Sequence, residues 1–468
     1  MSATPQKESM SNVDAAWRHM EEPANLMMVS GVMHFADKID PEQLRRTLNE
    51  RLLGRYKRFR QKVVDTPIIG TPHWEEDPDF DLENHLAYEV LPAPGDKQAL
   101  QTRCSQLLSK PLDFERPLWH VTIIDGFGEG NALFMRIHHC IADGIALISV
   151  LISLTAESAE ASLEPCEKPR PRLSGSGNLF KQAAKAWDTT LKVSEQFVQD
   201  SIDVLSQPSR ILDLAKQGTQ GAATAASLVL KSPDPHTLFR GQLAVPKVAS
   251  WSEPVPLDTV KRIRKVTNGT VNDVLLAAMA GGLRRYLRER EQPTDGLNFR
   301  AAVPVNVRPL DKMDELGNQF GLVFLELPIG IEDPLDRLFE LKKRMDYIKE
   351  SQQAVVAFGM LKAVGMTPAD IQKIIVNIFG TKTTCVMTNV PGPRVPLYLA
   401  GSEISDMMFW VPCSGRVGMG ISILSYAGQV RLGIATDAGL VPDPNRIIDG
   451  FYREMDALTA LADQVADE

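Results

Sequence analysis

A layered α/β protein of two domains is what the sequence predicts, and three observations carry that reading. The chain has 468 residues, more than one hydrophobic core normally supports, so about two domains are expected. Between Glu160 and Gly175 it turns polar around Pro165, Pro169 and Pro171, which is linker chemistry. On either side, hairpin-like strands mix with strands separated by helices, the pattern of sheets covered by helical layers rather than of a bundle or an all-β sandwich. The expected division is a disordered tail over 1–10, an N-terminal domain over 11–165, a linker with helical segments over 166–240 and a C-terminal domain over 241–468.

In order along the chain, Ser11 or Asp14 is placed to cap a short helix through Ala15, Trp17 and Met20. Met27 to Phe35 reads as a strand. Leu44, Leu48 and Leu52 recur at helical spacing within Pro41 to Leu53, with Asp40 as cap and Pro41 in the first turn. A second such helix covers Asp96 to Leu108 after the turn at Pro92 to Gly95. Pro117 to Ile124 is a strand entered through proline, Gly126 to Gly130 a turn, and Asn131 onward a second strand, together a hairpin. Beyond the linker, Asn178 to Leu205 carries Phe180, Trp187 and Leu191 on one stripe, suited to domain packing or to lying on a membrane. Gly218 to Ala226 reads as a looser helix or connector. Strand-like residues fill Gln242 to Val255, and a helix starts at Leu257. The next helix starts at Thr270 with Asp273 at its third position, a capping-box arrangement that suits the positive helix end. Further strands are expected at Phe299 to Val303, Gly321 to Leu327, Thr384 to Asn389, Gly418 to Leu424 and Val430 to Ala435, with helices over Pro334 to Lys349 and Pro444 to Leu461.

Composition removes several function classes. Hydrophobic residues make up 44% and charged residues 24%, values of an ordinary globular chain. A net charge of -8 argues against a nucleic-acid binder, which needs a basic face to displace counterions. The cysteines at 104, 140, 166, 385 and 413 are odd in number and widely spaced, which favours reduced thiols in a cytoplasmic setting. The first residues have no apolar core of a signal sequence, and no stretch reaches the ~18 apolar residues of a membrane span.

Chemistry concentrates where the hairpin ends, in His138-His139-Cys140-Ile141-Ala142-Asp143-Gly144, followed by an apolar helix to Leu154. Strand side chains alternate, so His139 shares a face with Leu133, Met135 and Ile137 while His138 sides with Phe134 and Arg136. Only one ring can enter a given cavity. His139 is read as a general base, because imidazole has the side-chain pKa nearest operating pH. Asp143 is read as the group that orients the motif, paired with an arginine that the sequence does not identify. The plainer alternative, two satisfied histidines at a strand end, is weakened by the Asp-Gly four residues on. A metal site at His138, His139 and Asp143 is disfavoured, because adjacent strand histidines diverge. Cys140 falls on the face away from His139 and reads as packing rather than as a nucleophile. Trp119 reads as a core aromatic or a cavity wall.

These residues resemble the bacterial wax ester synthase/diacylglycerol acyltransferase family over nearly the whole chain. His138 to Gly144 fits its signature of two histidines, three residues and Asp-Gly, and Pro117-Leu118-Trp119 fits a second motif. Asn272-Asp273 fits a third, and Thr388-Asn389-Val390-Pro391-Gly392-Pro393 a fourth, with Thr388 where the family usually has Ser. The first motif alone is shared with condensation domains of peptide synthetases and other coenzyme A-dependent acyltransferases. The resemblance implies two chloramphenicol acetyltransferase-like domains with an active-site tunnel between them. It implies acyl transfer from acyl-coenzyme A, as co-substrate and with no cofactor or metal, to a long-chain alcohol or diacylglycerol. His139, His138 and Asp143 would be catalytic. Gly144, Pro117, Leu118, Trp119, Asn272, Asp273, Asn389, Pro391 and Gly392 would bind substrate or support the site.

Such a reaction suits the residues. An alcohol must lose its proton as the C–O bond forms, and the thiolate leaves readily with a pKa near ~8.5. Backbone N–H groups at the tight turn, or the amides of Asn272 or Asn389, are candidates for the oxyanion. Two alternatives stand beside it: a condensation-type enzyme with a carrier-bound donor, and a non-catalytic lipid-droplet scaffold. Water-insoluble acceptors lead to an expected location in the cytoplasm, peripherally attached to the inner membrane or to lipid droplets, with the Asn178 to Leu205 helix as the candidate contact. Acceptor preference, acyl chain length and oligomeric state are not legible.

Overall fold

Helix starts follow the capping chemistry of the sequence. In this computed structural model the described residues are 7–66, 71–165, 224, 227, 228, 230–309, 312, 315–351, 353–367 and 369–467. Helix α1 (Asn12–His19) opens on Ser11, whose hydroxyl accepts from the Asp14 N–H at 3.1 Å. Helix α2 (Pro41–Thr47) opens on Asp40 with Pro41 in its first turn, and continues as a π-helical segment, Leu48–Leu53. Helix α3 (Lys97–Leu108) opens on Asp96. The tail call is corrected within the described residues: β1 (Glu8–Ser9) pairs with β4 (His73–Glu76), and Met10 is buried in the core. With β3 (Gln61–Val64) these strands form a small sheet that the sequence pattern does not predict.

The N-terminal sheet is built on the expected hairpin. Strand β6 (Trp119–Asp125) runs antiparallel to β7 (Asn131–His138), which pairs on its other side with β2 (Met28–Phe35). Strand β5 (Leu86–Val90) adds a parallel edge on β6. Helix α4 (Gly144–Leu154) follows directly, and the short α5 (Ala159–Leu163) closes this half. The linker helix call, Asn178 to Leu205, and the connector call after Gly218 lie outside the described residues, apart from isolated positions near 224–230.

The second sheet has the order β11-β10-β12-β15-β16-β8. Its strands are β8 (Lys247–Trp251), β10 (Phe299–Asn306), β11 (Phe320–Leu327), β12 (Cys385–Pro391), β15 (Met419–Tyr426) and β16 (Gln429–Asp437), with the two-residue β9 (Val255–Pro256) also on β16. Helices α6 (Leu257–Thr267), α7 (Val271–Arg288), α8 (Pro334–Glu350) and α11 (Asn445–Asp467) cover one face. The predicted capping box holds: Asp273 N–H donates to Thr270 Oγ1 at 3.1 Å, and Thr270 N–H to Asp273 Oδ2 at 2.8 Å.

Two features depart from the expected division. Strands β13 (Leu397–Leu399) and β14 (Ser402–Trp410) belong to the second half of the chain, yet they pair with β2 and complete the N-terminal sheet as β13-β14-β2-β7-β6-β5. A single C-terminal domain over 241–468 is therefore corrected: residues 397–410 cross over, and β14 packs against β15 and β16 while hydrogen-bonded to β2. The other feature is the helical pair α9 (Gln353–Val364) and α10 (Ala369–Gly380), for which no element had been expected. Its fit depends on glycines. A Cβ on Gly321 would stand 1.8 Å from the Ala354 carbonyl oxygen, and one on Gly365 would stand 1.7 Å from that of Asn12, so α9 lies directly on β11 and on the start of α1.

Candidate active site

The motif turn follows the last residue of β7 and leads into α4, with Asp143 as the helix cap. Between the two large sheets lies a cavity of about 540 Å³, lined from both halves of the chain. His139 reaches this cavity and His138 does not; β7 ends at His138, so His139 is presented by the turn rather than by strand alternation, and Leu133, Met135 and Ile137 do not line the cavity with it.

His139 is fixed through its backbone and its ring. Its N–H donates to the Met27 carbonyl at 2.6 Å, and its own carbonyl accepts from Asn318 Nδ2 at 2.7 Å. The imidazole stacks on Trp17 of α1, with centroids 4.3 Å apart and planes at 17°, and Phe320 of β11 tilts against it at 5.6 Å. Burial among these rings disfavours the imidazolium and lowers the His139 pKa to about 4, although Asp143 pulls the other way. The ring is therefore a neutral proton acceptor at neutral pH.

His138 has a different environment. It is fully buried, its Nδ1 accepts the Cys140 N–H at 3.1 Å, and its Nε2 lies 3.1 Å from the Glu21 carboxylate. An accepting Nδ1 places the proton on Nε2, facing Glu21. The same Glu21 oxygen accepts from the Met27 N–H at 3.0 Å, so the pair braces the strand that holds the His139 backbone. Burial lowers the His138 pKa as well.

Asp143 touches three groups. Oδ1 caps α4 through the Ala146 N–H at 2.9 Å, while Oδ2 accepts from Arg308 Nη2 at 2.7 Å and from the Gln319 N–H at 2.9 Å. Arg308 also donates to the carbonyls of Gly317 and Glu315. Around Gly317 the arm following β10 is laced to the motif: its N–H donates to the Ile141 carbonyl at 3.1 Å and its carbonyl accepts the Asp143 N–H at 3.3 Å. Gly317 has φ +99, a backbone state that favours glycine, and Asp14 lies beside it. Asn318 ties the arm to α1, donating to Asp14 Oδ1 from its backbone at 3.0 Å and from its side chain at 2.8 Å. Burial raises the Asp14 pKa, a cost these hydrogen bonds offset in part.

Opposite the histidine, Asn272 at the start of α7 and Thr388, Asn389 and Pro391 of β12 line the cavity. Asn389 Nδ2 donates to Asn272 Oδ1 at 3.1 Å, so the end of the Asn272 amide left for a further contact is its NH₂. Gly392 stands behind them, where a Cβ would lie 2.4 Å from the Ser425 carbonyl oxygen.

The structure thus gathers His139, Asp143, Gly144, Asn272, Asn389 and Pro391 around one space, and leaves His138, Pro117, Leu118, Trp119, Asp273 and Gly392 outside it. Several of the outer group make contacts that hold the fold. Leu118 accepts the His138 N–H at 2.9 Å, and Trp119 is a core residue that stacks on His85 at 4.5 Å and donates to the Phe59 carbonyl at 2.8 Å. Asp273 completes the capping box. Cys140 is fully buried and burial pushes its thiol well above the ordinary range, the opposite of an activated nucleophile. Sequence reasoning missed Arg308, Asn318, Asp14 and Glu21. An unpaired acid in the motif signalled that Asp143 needed a cation, but nothing local pointed to residue 308.

Comparison with known proteins agrees with this geometry. The description "Wax ester synthase/diacylglycerol acyltransferase catalytic domain" matches residues 10–275, and "WS/DGAT C-terminal domain" matches residues 316–459. The chain belongs to the wax ester synthase/diacylglycerol acyltransferase family. A Mycobacterium tuberculosis protein named provisionally as a diacylglycerol O-acyltransferase is 28% identical over 97% of this chain and 91% of its own. A second, named as a probable diacylglycerol O-acyltransferase, is 28% identical over 86% and 85%. Among solved structures, the wax ester synthase/diacylglycerol acyltransferase of Marinobacter aquaeolei VT8 superposes with a TM-score of 0.68 at 22% identity, covering 97% of this chain and 99% of that one. The starter condensation domain of rhizomide synthetase, crystallised with C8-CoA and Leu-SNAC, gives 0.59 at 13% identity over 97% and 94%. The fold of this family member is therefore chloramphenicol acetyltransferase-like, and the protein is an acyltransferase.

Proposed function

We propose that this wax ester synthase/diacylglycerol acyltransferase family member moves a long-chain acyl group from acyl-coenzyme A to the hydroxyl of a long-chain alcohol or a diacylglycerol, with His139 as general base. The observation that carries the reading is a neutral His139, its plane set by Trp17, opening into a largely apolar cavity between the sheets. In this scheme the acceptor hydroxyl gives its proton to the imidazole as its oxygen bonds the thioester carbon. The carbonyl electrons move onto oxygen, and their return breaks the C–S bond. The thiolate leaves with the proton held on His139, which restores the base. Atoms and charge balance with no acyl-enzyme.

In this scheme two groups receive the oxyanion. Gly144 begins α4, and the space where its side chain would stand is open, so a carbonyl oxygen can approach the positive end of the helix. The NH₂ of Asn272 is the second. Asp143 acts through position: it caps α4 and binds the Arg308 arm, so it holds the turn rather than the proton. No helix among the described residues is long and apolar enough to cross a membrane, and peripheral attachment to a membrane or droplet surface is part of the proposal. It is motivated by acceptors that lose ~0.8 kcal/mol for every CH₂ exposed to water.

The test is product analysis with purified protein, acyl-coenzyme A, and hexadecanol or diacylglycerol. Ester formation matched by coenzyme A release is expected, and it should vanish in His139→Ala. Turnover of a carrier-bound acyl group alone would favour the condensation-type reading. No ester from any donor would leave a scaffold.

A further inference from the structure

Helices α9 and α10 have apolar side chains on two faces. Met360, Leu361 and Val364 of α9 and Ile375, Val376 and Phe379 of α10 line the cavity that holds His139. The outer side of α10 presents Ile374, 60% exposed, and Ile378, 47% exposed, and Met366 in the turn between the helices is 57% exposed. Positions four apart stack on one helix face, so Ile374 and Ile378 form a continuous outward ridge. A helix that only covers a core shows solvent its polar face, and α10 departs from that rule.

The charge pattern points the same way. Across residues 353–380 the charged side chains are Lys362, Asp370 and Lys373, in a chain whose charged fraction is 24% and net charge -8. Lys362 and Lys373 are exposed. An apolar ridge flanked by lysines matches an interface of acyl chains beneath anionic headgroups. The ridge is also one helix thickness from the cavity lining, so an acceptor leaving the lipid there would not cross water. A peptide partner on the ridge would instead cover this short route.

We propose that the outer face of α9 and α10, through Met366, Ile374 and Ile378 with Lys362 and Lys373, docks on an anionic phospholipid surface, and that the acceptor enters the cavity beside this pair. The site assigned to the lipid surface is thus this ridge, not the Asn178 to Leu205 stretch expected from the sequence, which lies outside the described residues. The inference rests on the long-chain acceptors proposed above.

Flotation with vesicles of phosphatidylcholine, with and without phosphatidylglycerol, tests docking, and kcat/KM is measured for vesicle-borne hexadecanol and for dissolved hexanol. Ile374→Ser/Ile378→Ser should lower vesicle binding and hexadecanol turnover on the order of tenfold. Hexanol turnover and the melting temperature should stay unchanged, because both side chains point away from the cavity. Lys362→Gln/Lys373→Gln should remove only the extra binding brought by phosphatidylglycerol. Flotation of the isoleucine variant equal to that of the native chain, or no flotation of the native chain, would overturn the proposal. A native chain that floats but esterifies neither alcohol would overturn the reaction instead, leaving the docking result standing.

Discussion

The cavity has two walls built by opposite means. From His139 to Gly144 the wall is held by directional bonds: Asp143 to Arg308, Asn318 to the His139 carbonyl, Gly317 to Ile141. The wall of α9 and α10 is held by apolar packing and close backbone approach at Gly321 and Gly365. Hydrogen bonds and a buried ion pair fix position to a fraction of an ångström, which proton transfer requires. Apolar packing fixes volume with little regard to direction, which suits a wall that meets hydrocarbon. Under the proposed reaction the first wall serves the chemistry and the second the length of the substrate.

Breaking the first wall at its centre should have the largest effect. His139→Ala is expected to lower kcat by about 10²- to 10⁴-fold with the fold retained. His138→Ala should do the reverse, costing stability because Glu21 is left with only the Met27 N–H as partner, while keeping most of the turnover. Steady-state rates beside melting curves decide this, and a larger rate loss in His138→Ala would reverse the assignment of the two rings.

Next comes the clamp. Arg308→Ala leaves Asp143 without its partner at a buried position, and losing one member of such a pair costs about 3–5 kcal/mol. Urea unfolding should show that loss together with reduced activity. Unchanged stability with abolished activity would make Asp143 a participant in proton transfer rather than a brace.

The pH dependence sharpens the contrast further. As the proposed base His139 works only when neutral, and its pKa of about 4 is expected to keep kcat/KM level down to roughly pH 5, with a fall below. A limb at 6.5, the ordinary histidine value, would mean that the ring is solvated in the working enzyme. Stability has the same sign. Below 6.5 an unfolded His139 takes a proton that the folded one refuses until about 4, so stability falls as pH drops through that window and is unaffected above it. His120, also lowered to about 4 by burial, adds to the same loss.

The smallest effect belongs to the second wall. Phe379→Ala enlarges the cavity lining of α10 and should change kcat/KM for hexadecanol by less than about tenfold, with the pH profile unmoved. Comparing alcohols of increasing length checks it. A loss as large as that of His139→Ala would erase the distinction between the walls.

By itself the sequence determined whatever is encoded within a few residues. The hairpin into His138-His139, the caps at Ser11, Asp40, Asp96 and Asp143, and the capping box at Thr270 and Asp273 each need only neighbours along the chain. The parity of β7 did not by itself place the two imidazoles, because the strand ends at His138 and the turn that follows presents His139. Helix α9 was not legible, because side chains apolar on more than one face leave no amphipathic period to read. Only the tertiary structure decided the rest. The return of β14 to β2 and the reach of Arg308 to Asp143, 165 residues away, depend on pairings between distant segments that no local pattern specifies. Trp119 shows the same limit, since an aromatic residue on the hairpin that leads to the motif could serve as core or cavity wall, and its stacking on His85 settled that it is core. Local order follows from backbone sterics and nearby hydrogen bonds, whereas a site assembled across two sheets exists only once burial has made each distant partner the best one left for a charge or a donor.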